Sequence, residues 1–275
     1  MGDLVLAAKV SHVPSLMLSE VPGSPLAGAR KGAVDALREL GRRARERHVS
    51  TFVVFDTHWL SNFGYHINAN PHHQGAFTRH EAPQMIQDLR YDLPGDTALA
   101  EAIAGEATGA GLNVIAHKVA RLGLEYGTIV PMHYMNGDGW AKVVSVATPL
   151  FTLLEESRIL GEATRRAIAR AGERVAILAS GSLSHRLWPN KKLGPAAWTS
   201  IASEFNPQVD LRVLELWQQR RYRESSTCFR TTPSNATARA AWPIPSCCSR
   251  RSAGTVLTAM PSSSAITFHR AAAAR

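Results

Sequence analysis

The chain has 275 residues, 45% of them hydrophobic, and no run approaches the roughly 20 apolar residues of a membrane span. Its net charge of +9 would suit a nucleic-acid partner, but all 22 acidic residues lie at or before Glu224. The first 224 residues therefore carry 25 basic against 22 acidic side chains, while the last 51 carry six arginines and no acid. This near-balance in the body argues against a nucleic-acid or membrane partner. The body also has no thiol, because Cys228, Cys247 and Cys248 all lie in the tail, so disulfides and cysteine-based zinc sites are excluded there. The N-terminus lacks a convincing signal peptide, and a cytoplasmic location is expected.

In chain order, Leu4 to Val10 reads as a strand that ends in Ser11-His12-Val13-Pro14-Ser15, where Pro14 forces a loop. Ala27 to His48 has helical spacing, with Ala33, Ala36, Leu37 and Leu40 on one face and basic residues on the other. The stretch Ser50 to Leu60 follows: Thr51 to Phe55 is a buried strand delivering Asp56-Thr57-His58-Trp59 to its end. Residues 61–95, rich in His, Asn and aromatics, read as an irregular insertion, with His66, His72 and His73 lining an entrance or facing solvent. Asp96 to Gly109 is a helix, and Leu112 to Ala116 a strand ending at His117. Val143 to Ala147 is a strand, Ser157 to Ala171 an amphipathic helix, and Val175 to Ala179 a strand running into Ser180-Gly181-Ser182-Leu183-Ser184-His185. Glu204 to Tyr222 is the last helix. The alternation predicts an α/β fold with a central mixed or mostly parallel sheet flanked by helices. No glycine-rich phosphate loop is present.

From Ser225 the composition shifts to Ser, Thr, Ala, Pro and Arg, and helical and strand periodicity disappear. Residues 1–224 are thus expected to form one catalytic domain. Residues 225–275 read as an aberrant basic tail, either disordered or frame-shifted.

Four histidines, His12, His58, His117 and His185, each follow an apolar strand. In open α/β sheets, reactive groups gather past the carboxyl ends of strands, so the four are expected to converge. Imidazole without thiols suits Zn, Fe or Cu. Two histidines and a carboxylate serve both non-heme Fe(II) oxygenases and catalytic zinc, so a zinc-dependent hydrolase using the same histidines stands as the alternative. A non-catalytic basic binding protein acting through the tail is a third, weaker reading.

Four segments carry a more specific signal: Ser11-His12-Val13-Pro14-Ser15; Phe55-Asp56-Thr57-His58-Trp59; Leu124-Glu125-Tyr126-Gly127-Thr128 with Val130-Pro131-Met132; and Ala179 through Arg186. Together, in this order across residues 1–224, they resemble the class III extradiol ring-cleavage dioxygenases, the LigB family. The resemblance implies an oxidoreductase that cleaves a catechol with O2 to a semialdehyde. It implies Fe(II) as cofactor, held by His12 and His58, with His185 as the acid/base beside the substrate; an imidazole titrates in the range this proton traffic needs. Many relatives carry Asp-His-Gly where this chain has Glu125-Tyr126-Gly127, so Tyr126, or else nearby His117, takes the second acid/base position. The partners expected are a small catechol and O2, within a homo-oligomer. Arg121, Arg186, Lys191 and Lys192 are candidates to meet a substrate carboxylate.

The family's third metal ligand is a glutamate near the C-terminus in a Gly-Glu-Gly setting. No acid follows Glu224 here. With a permissive choice of codons, shifting the frame over Ser225 to Pro233 yields Leu-Asp-Met-Leu-Pro-Asp-Tyr-Ala. The same shift over Asn235 to Pro245 yields Cys-Asn-Gly-Glu-Gly-Gly-Met-Ala-Asp-Thr. The glutamate codon then straddles Ala238 and Arg239. On this reading the chain as written binds iron poorly.

Overall fold

The computed structural model describes residues 2–150, 152–183, 205–228 and 255–258. Nine strands and six α-helices are described: β1 (Asp3–Val10), α1 (Lys31–Glu46), β2 (Thr51–Ser61), β3 (Tyr65–Asn68), β4 (His72–Phe77), β5 (Leu89–Pro94), α2 (Thr97–Gly109), β6 (Val114–His117), α3 (Tyr126–Met135), β7 (Lys142–Pro149), α4 (Leu154–Ala171), β8 (Arg174–Ser180), α5 (Phe205–Gln218), α6 (Tyr222–Cys228) and β9 (Thr255–Thr258). Seven strands make one sheet in the order β6-β3-β7-β2-β8-β1-β9, and β4 and β5 pair as a separate hairpin. Strands β7, β2, β8, β1 and β9 are mutually parallel; β3 pairs antiparallel to β7 and parallel to β6. The α/β fold with a mostly parallel sheet is as the alternation predicts.

The sheet is buried on both faces, which is why its central strands read as continuous apolar runs. On one face Leu6, Ala8, Val10, Phe52 and Val54 pack against α1 and α3. On the other Ala7, Val53, Phe55, Val144 and Val146 pack against α2, α4 and α5. Helix α1 buries the stripe Ala33, Val34, Ala36, Leu37, Leu40, Gly41 and Ala44. A methyl at Gly41 would lie 2.5 Å from the Met135 carbonyl oxygen, so glycine is what lets α1 and α3 touch there. Asp96 caps α2 by accepting from the Leu99 amide at 3.0 Å and also accepts from the Thr51 hydroxyl at 2.9 Å.

Two expectations change. Residues 61–95 hold β3, β4 and β5 rather than an irregular insertion, because cross-strand pairing organises short segments whose own patterning is weak. Pro14 does not open a plain loop but begins a 3-10 helix, Pro14–Glu20, as suits a residue whose missing amide is no loss in a first turn. Across the 224/225 boundary the backbone is continuous helix. Buried Ser225 accepts from the Trp217 indole N–H at 2.9 Å, and the tail supplies β9 against β1.

Candidate metal and substrate site

Register puts the site residues together. Val10 of β1 and Asp56 of β2 both pair with Ser180 of β8, so the two strands that lead to His12 and His58 flank one central strand. Strand β2 does not stop at Asp56. Its pairing with β7 jumps from Asp56–Ala147 to Leu60–Thr148, so Thr57, His58 and Trp59 bulge out of the ladder.

The bulge is held by a buried carboxylate. One oxygen of Asp56 accepts from the His58 amide at 2.7 Å and the Trp59 amide at 3.2 Å; the other accepts from the Thr128 hydroxyl at 2.8 Å. Burial pushes the Asp56 pKa up, and these hydrogen bonds oppose that shift. The first turn of α3 reaches Asp56 because residue 127 is glycine: a methyl there would lie 2.0 Å from the carboxylate.

His12 has its tautomer set by Ser180. The Ser180 hydroxyl has one proton, given to the Gly127 carbonyl at 2.5 Å. It must therefore accept from His12 Nδ1–H, 2.8 Å away. The lone pair of His12 is then on Nε2, the state of a metal-binding histidine whose other nitrogen is tied down.

The His12 and His58 rings meet edge to face with centroids 5.0 Å apart. Tyr126, at the start of α3, lies against both, at 5.3 Å from His12 and 4.0 Å from His58, and its hydroxyl hydrogen-bonds His58 Nε2. Burial is the main reason the Tyr126 pKa is pushed well above the ordinary tyrosine range, so the phenol is neutral. The Arg79 guanidinium stacks over the same ring, 4.5 Å from its centre. Arg79 pairs with Glu81 at 2.5 Å, and its buried Nε has no hydrogen-bond partner among the described residues.

Among the expected site residues, the structure brings together His12, His58 and Tyr126. His117 sits elsewhere, hydrogen-bonded to His66 at 2.7 Å. Its strand β6 runs opposite to β1, β2 and β8, so the end of β6 does not join theirs. His185, Arg186, Lys191 and Lys192 lie outside the described residues, and Arg121 is exposed. Of the insertion histidines, His73 is not at an entrance: it is buried, with Nε2–H donating to the Val143 carbonyl at 3.0 Å. His72 pairs with Asp92 at the surface. Sequence reasoning missed Ser180, Asp56 and Thr128 as supports, although an acid closing an apolar strand two residues before a histidine is a usable signal. Arg79 gave no sequence signal.

The donor chemistry fits two arms of a divalent metal: two imidazoles side by side, one with a fixed tautomer. Among the described residues, no group of three or more His, Cys, Asp or Glu side chains is placed to hold a metal.

Comparison with known proteins bears directly on this geometry. The sequence profile of the catalytic LigB subunit of aromatic ring-opening dioxygenases matches residues 6–248. The chain belongs to the LigB family. Over 227 residues it is 44% identical to the 3,4-dihydroxyphenylacetate 2,3-dioxygenase of Escherichia coli, covering 82% of this chain and 81% of that one. It is 29% identical over 240 residues to the 2-aminophenol 1,6-dioxygenase beta subunit of a Pseudomonas species, covering 81% and 77% of the two chains. A shorter match, 37% over 100 residues, joins it to a 2,3-dihydroxyphenylpropionate/2,3-dihydroxicinnamic acid 1,2-dioxygenase of Mycobacterium sp. (strain MCS), covering 34% of this chain and 30% of that one. As a LigB-family protein the chain is a class III extradiol dioxygenase, one of a family of metal-dependent enzymes acting on small aromatic substrates with O2. Among its described residues no helix is long and apolar enough to cross a membrane.

Proposed function

We propose that this fold is built to open the ring of a catechol such as 3,4-dihydroxyphenylacetate beside its two hydroxyls, using Fe(II) and placing both atoms of O2 in a semialdehyde product. The observation that carries the reading is the cluster of His12, just past β1, His58 on β2 and Tyr126 at the start of α3, in a chain 44% identical to a dioxygenase of that name.

His12, through Nε2, and His58 are the protein's imidazole ligands. Iron bound there supplies a Lewis acid for the catechol oxygens and an electron path to O2. Tyr126, a neutral phenol whose hydroxyl hydrogen-bonds His58 Nε2 in the structure, would turn to the substrate once His58 holds the metal. His185 takes a proton from a catechol hydroxyl and returns one as the ring opens. Arg79, with Nε unpartnered beside the Tyr126 ring, is the better candidate to meet a substrate carboxylate than exposed Arg121. Phe77, 5.9 Å from Tyr126, contributes an apolar wall.

The third arm, the family's C-terminal glutamate, has no counterpart after Glu224, so the chain as written holds Fe(II) weakly and turns over little. The test is to add Fe(II) or Zn(II) to metal-stripped protein, with 3,4-dihydroxyphenylacetate and other catechols. O2 uptake and yellow product are then followed in the chain as written and in one with the glutamate segment restored. Iron-dependent product from the restored chain is the expected result. No O2 uptake from the restored, iron-loaded chain with any catechol would sink the reading, and zinc-supported anaerobic hydrolysis would replace it with a hydrolase.

A further inference from the structure

The hairpin of β4 and β5 faces α3 across a cleft of about 560 Å³. Leu93, Ile129 and Met132 give it an apolar wall, and Arg90, Tyr91 and Asp92 stand beside them. Neither His12 nor His58 lines it, and nor does Tyr126. Its size falls in the range of roughly 300–1,000 Å³ typical of small-molecule sites, which pair apolar walls with a few polar groups.

Those polar groups are not equally free. Asp92 is committed: one carboxylate oxygen lies 2.8 Å from His72 Nε2, and the other accepts from the Gln74 amide at 3.2 Å. His133, at the rim, is tied to Glu20 at 2.8 Å. Arg90 pairs with Asp88 at 3.3 Å, and both side chains are well exposed, so that pair is easily exchanged. The Tyr91 hydroxyl accepts from the Leu124 amide at 3.1 Å, and its own proton has no acceptor among the described residues. The hydroxyl lies against Gly75, another lining residue, where a methyl would be 2.6 Å from it. Two donors are thus left over beside the apolar wall, a guanidinium and a phenol. Successive residues of a strand face opposite sides, so Arg90 and Tyr91 meet a ligand at two separate points. The molecule that answers this has a carboxylate at one end, a hydroxyl oxygen at the other and an aromatic ring between.

We propose that the cleft between the β4–β5 hairpin and α3 is a second ligand site, separate from His12 and His58, that takes a hydroxylated aromatic carboxylate.

The site has a physical route to the first one. Tyr91 holds Leu124, two residues before Tyr126, and the turn of the same hairpin carries Arg79 onto the Tyr126 ring. A ligand seated in the cleft braces the hairpin and, through it, both supports of the Tyr126 segment. Binding there requires neither iron nor ring opening.

The test uses the full chain as written, metal-stripped and isotope-labelled at the methionine methyls, with Met132→Leu to assign the Met132 signal. It is titrated with 4-hydroxyphenylacetate and with phenylacetate, neither of which has the paired hydroxyls that chelate a metal. The expected result is a saturable shift of the Met132 methyl, with tighter binding of the hydroxylated acid. Arg90→Ala should weaken both acids by about 10-fold, and Tyr91→Phe only 4-hydroxyphenylacetate. Arg79→Gln, which removes the cation beside Tyr126, should leave the Met132 shift in place. An unmoved Met132 signal overturns the proposal. So does binding that Arg79→Gln abolishes and Arg90→Ala does not, which would assign the acid to the first site. Arg90 is exposed, so its variant decides on its own should Tyr91→Phe loosen the hairpin.

Discussion

A serine hydroxyl has one proton, and where Ser180 sends it decides which nitrogen of His12 can bind a metal. Ser180→Ala removes both the acceptor of His12 Nδ1–H and the donor to the Gly127 carbonyl. The ring is then free to change tautomer. Metal affinity should fall by about 10–100-fold, as for other supporting partners of ligating histidines. Stability should fall by about 1–3 kcal/mol, because two buried polar groups lose a partner. Metal titration beside a thermal melt separates the two effects; unchanged affinity in a folded variant would remove Ser180 from the site. Lys9 offers a second prediction at this scale. It is buried on β1, with Nζ and the Thr57 hydroxyl both about the position a methyl on Gly181 would occupy, at 3.0 and 2.9 Å. Burial lowers its pKa from 10.5 to about 7, against an opposing pull from Asp210. Below about 7 the ammonium is charged in both folded and unfolded chains, and the folded state bears the full cost of burying it. Between about 7 and 10.5 the unfolded chain binds more protons, so this group makes stability rise with pH, by up to about 1.4 kcal/mol per pH unit. Urea melts at pH 7, 8 and 9 on the native chain and Lys9→Met should diverge with that sign. Parallel profiles would show that Lys9 is not the titrating group.

Element by element, the strand that bears His58 shows how a close packing contact can be as decisive as the residue that does chemistry. The bulge after Asp56 requires a carboxylate to gather two amides, and α3 must come near enough to supply Thr128. Gly127→Ala puts a methyl 2.0 Å from Asp56, so the first turn of α3 has to move. We expect a loss of about 1–3 kcal/mol from overpacking. Activity of a frame-restored protein should fall further than stability does, since Tyr126 moves with that turn. A folded variant with unchanged turnover would mean that the close approach is incidental. Legibility follows the same division. The sheet core was readable because Thr51 to Phe55, Val143 to Ala147 and Val175 to Ala179 are buried on both faces and therefore uninterrupted in sequence. His12 and His58 were readable because each closes such a run. Strands β3 to β6 were not, because their pairing partners, rather than their own periodicity, define them. The direction of β6 was hidden for the same reason: a strand-end histidine reads alike whichever way the strand runs, and only the antiparallel β3–β7 pairing sends His117 to His66. Arg79 lies in the turn between β4 and β5, and nothing in Thr78-Arg79-His80 foretells that it stacks on Tyr126.

Over the whole molecule, the composition breaks after Glu224, inside the stretch 6–248 that the family profile matches. Helix α6 runs through that break, and β9 adds to β1. On the proposed reading, it is the chemistry that changes. Two neutral imidazoles leave the full double charge of a ferrous ion uncompensated, whereas the glutamate recovered by shifting the frame over Ala238 and Arg239 would neutralise part of it and supply the third donor. A gene restored to that frame after Glu224 should therefore give a protein that retains about one iron per chain through gel filtration, while the chain as written loses it. The affinity difference should reach at least the roughly 100-fold that removing a mere supporting partner can cause. Ring cleavage should appear with the iron. Two measurements bear on the idea separately. Resequencing across the Glu224 and Ser225 codons, with the intact mass of the natural product, tests the shift itself. Iron content of the two recombinant chains tests the missing arm. Stoichiometric iron and full turnover in the chain as written would show that His12 and His58 draw their third donor from elsewhere in the protein.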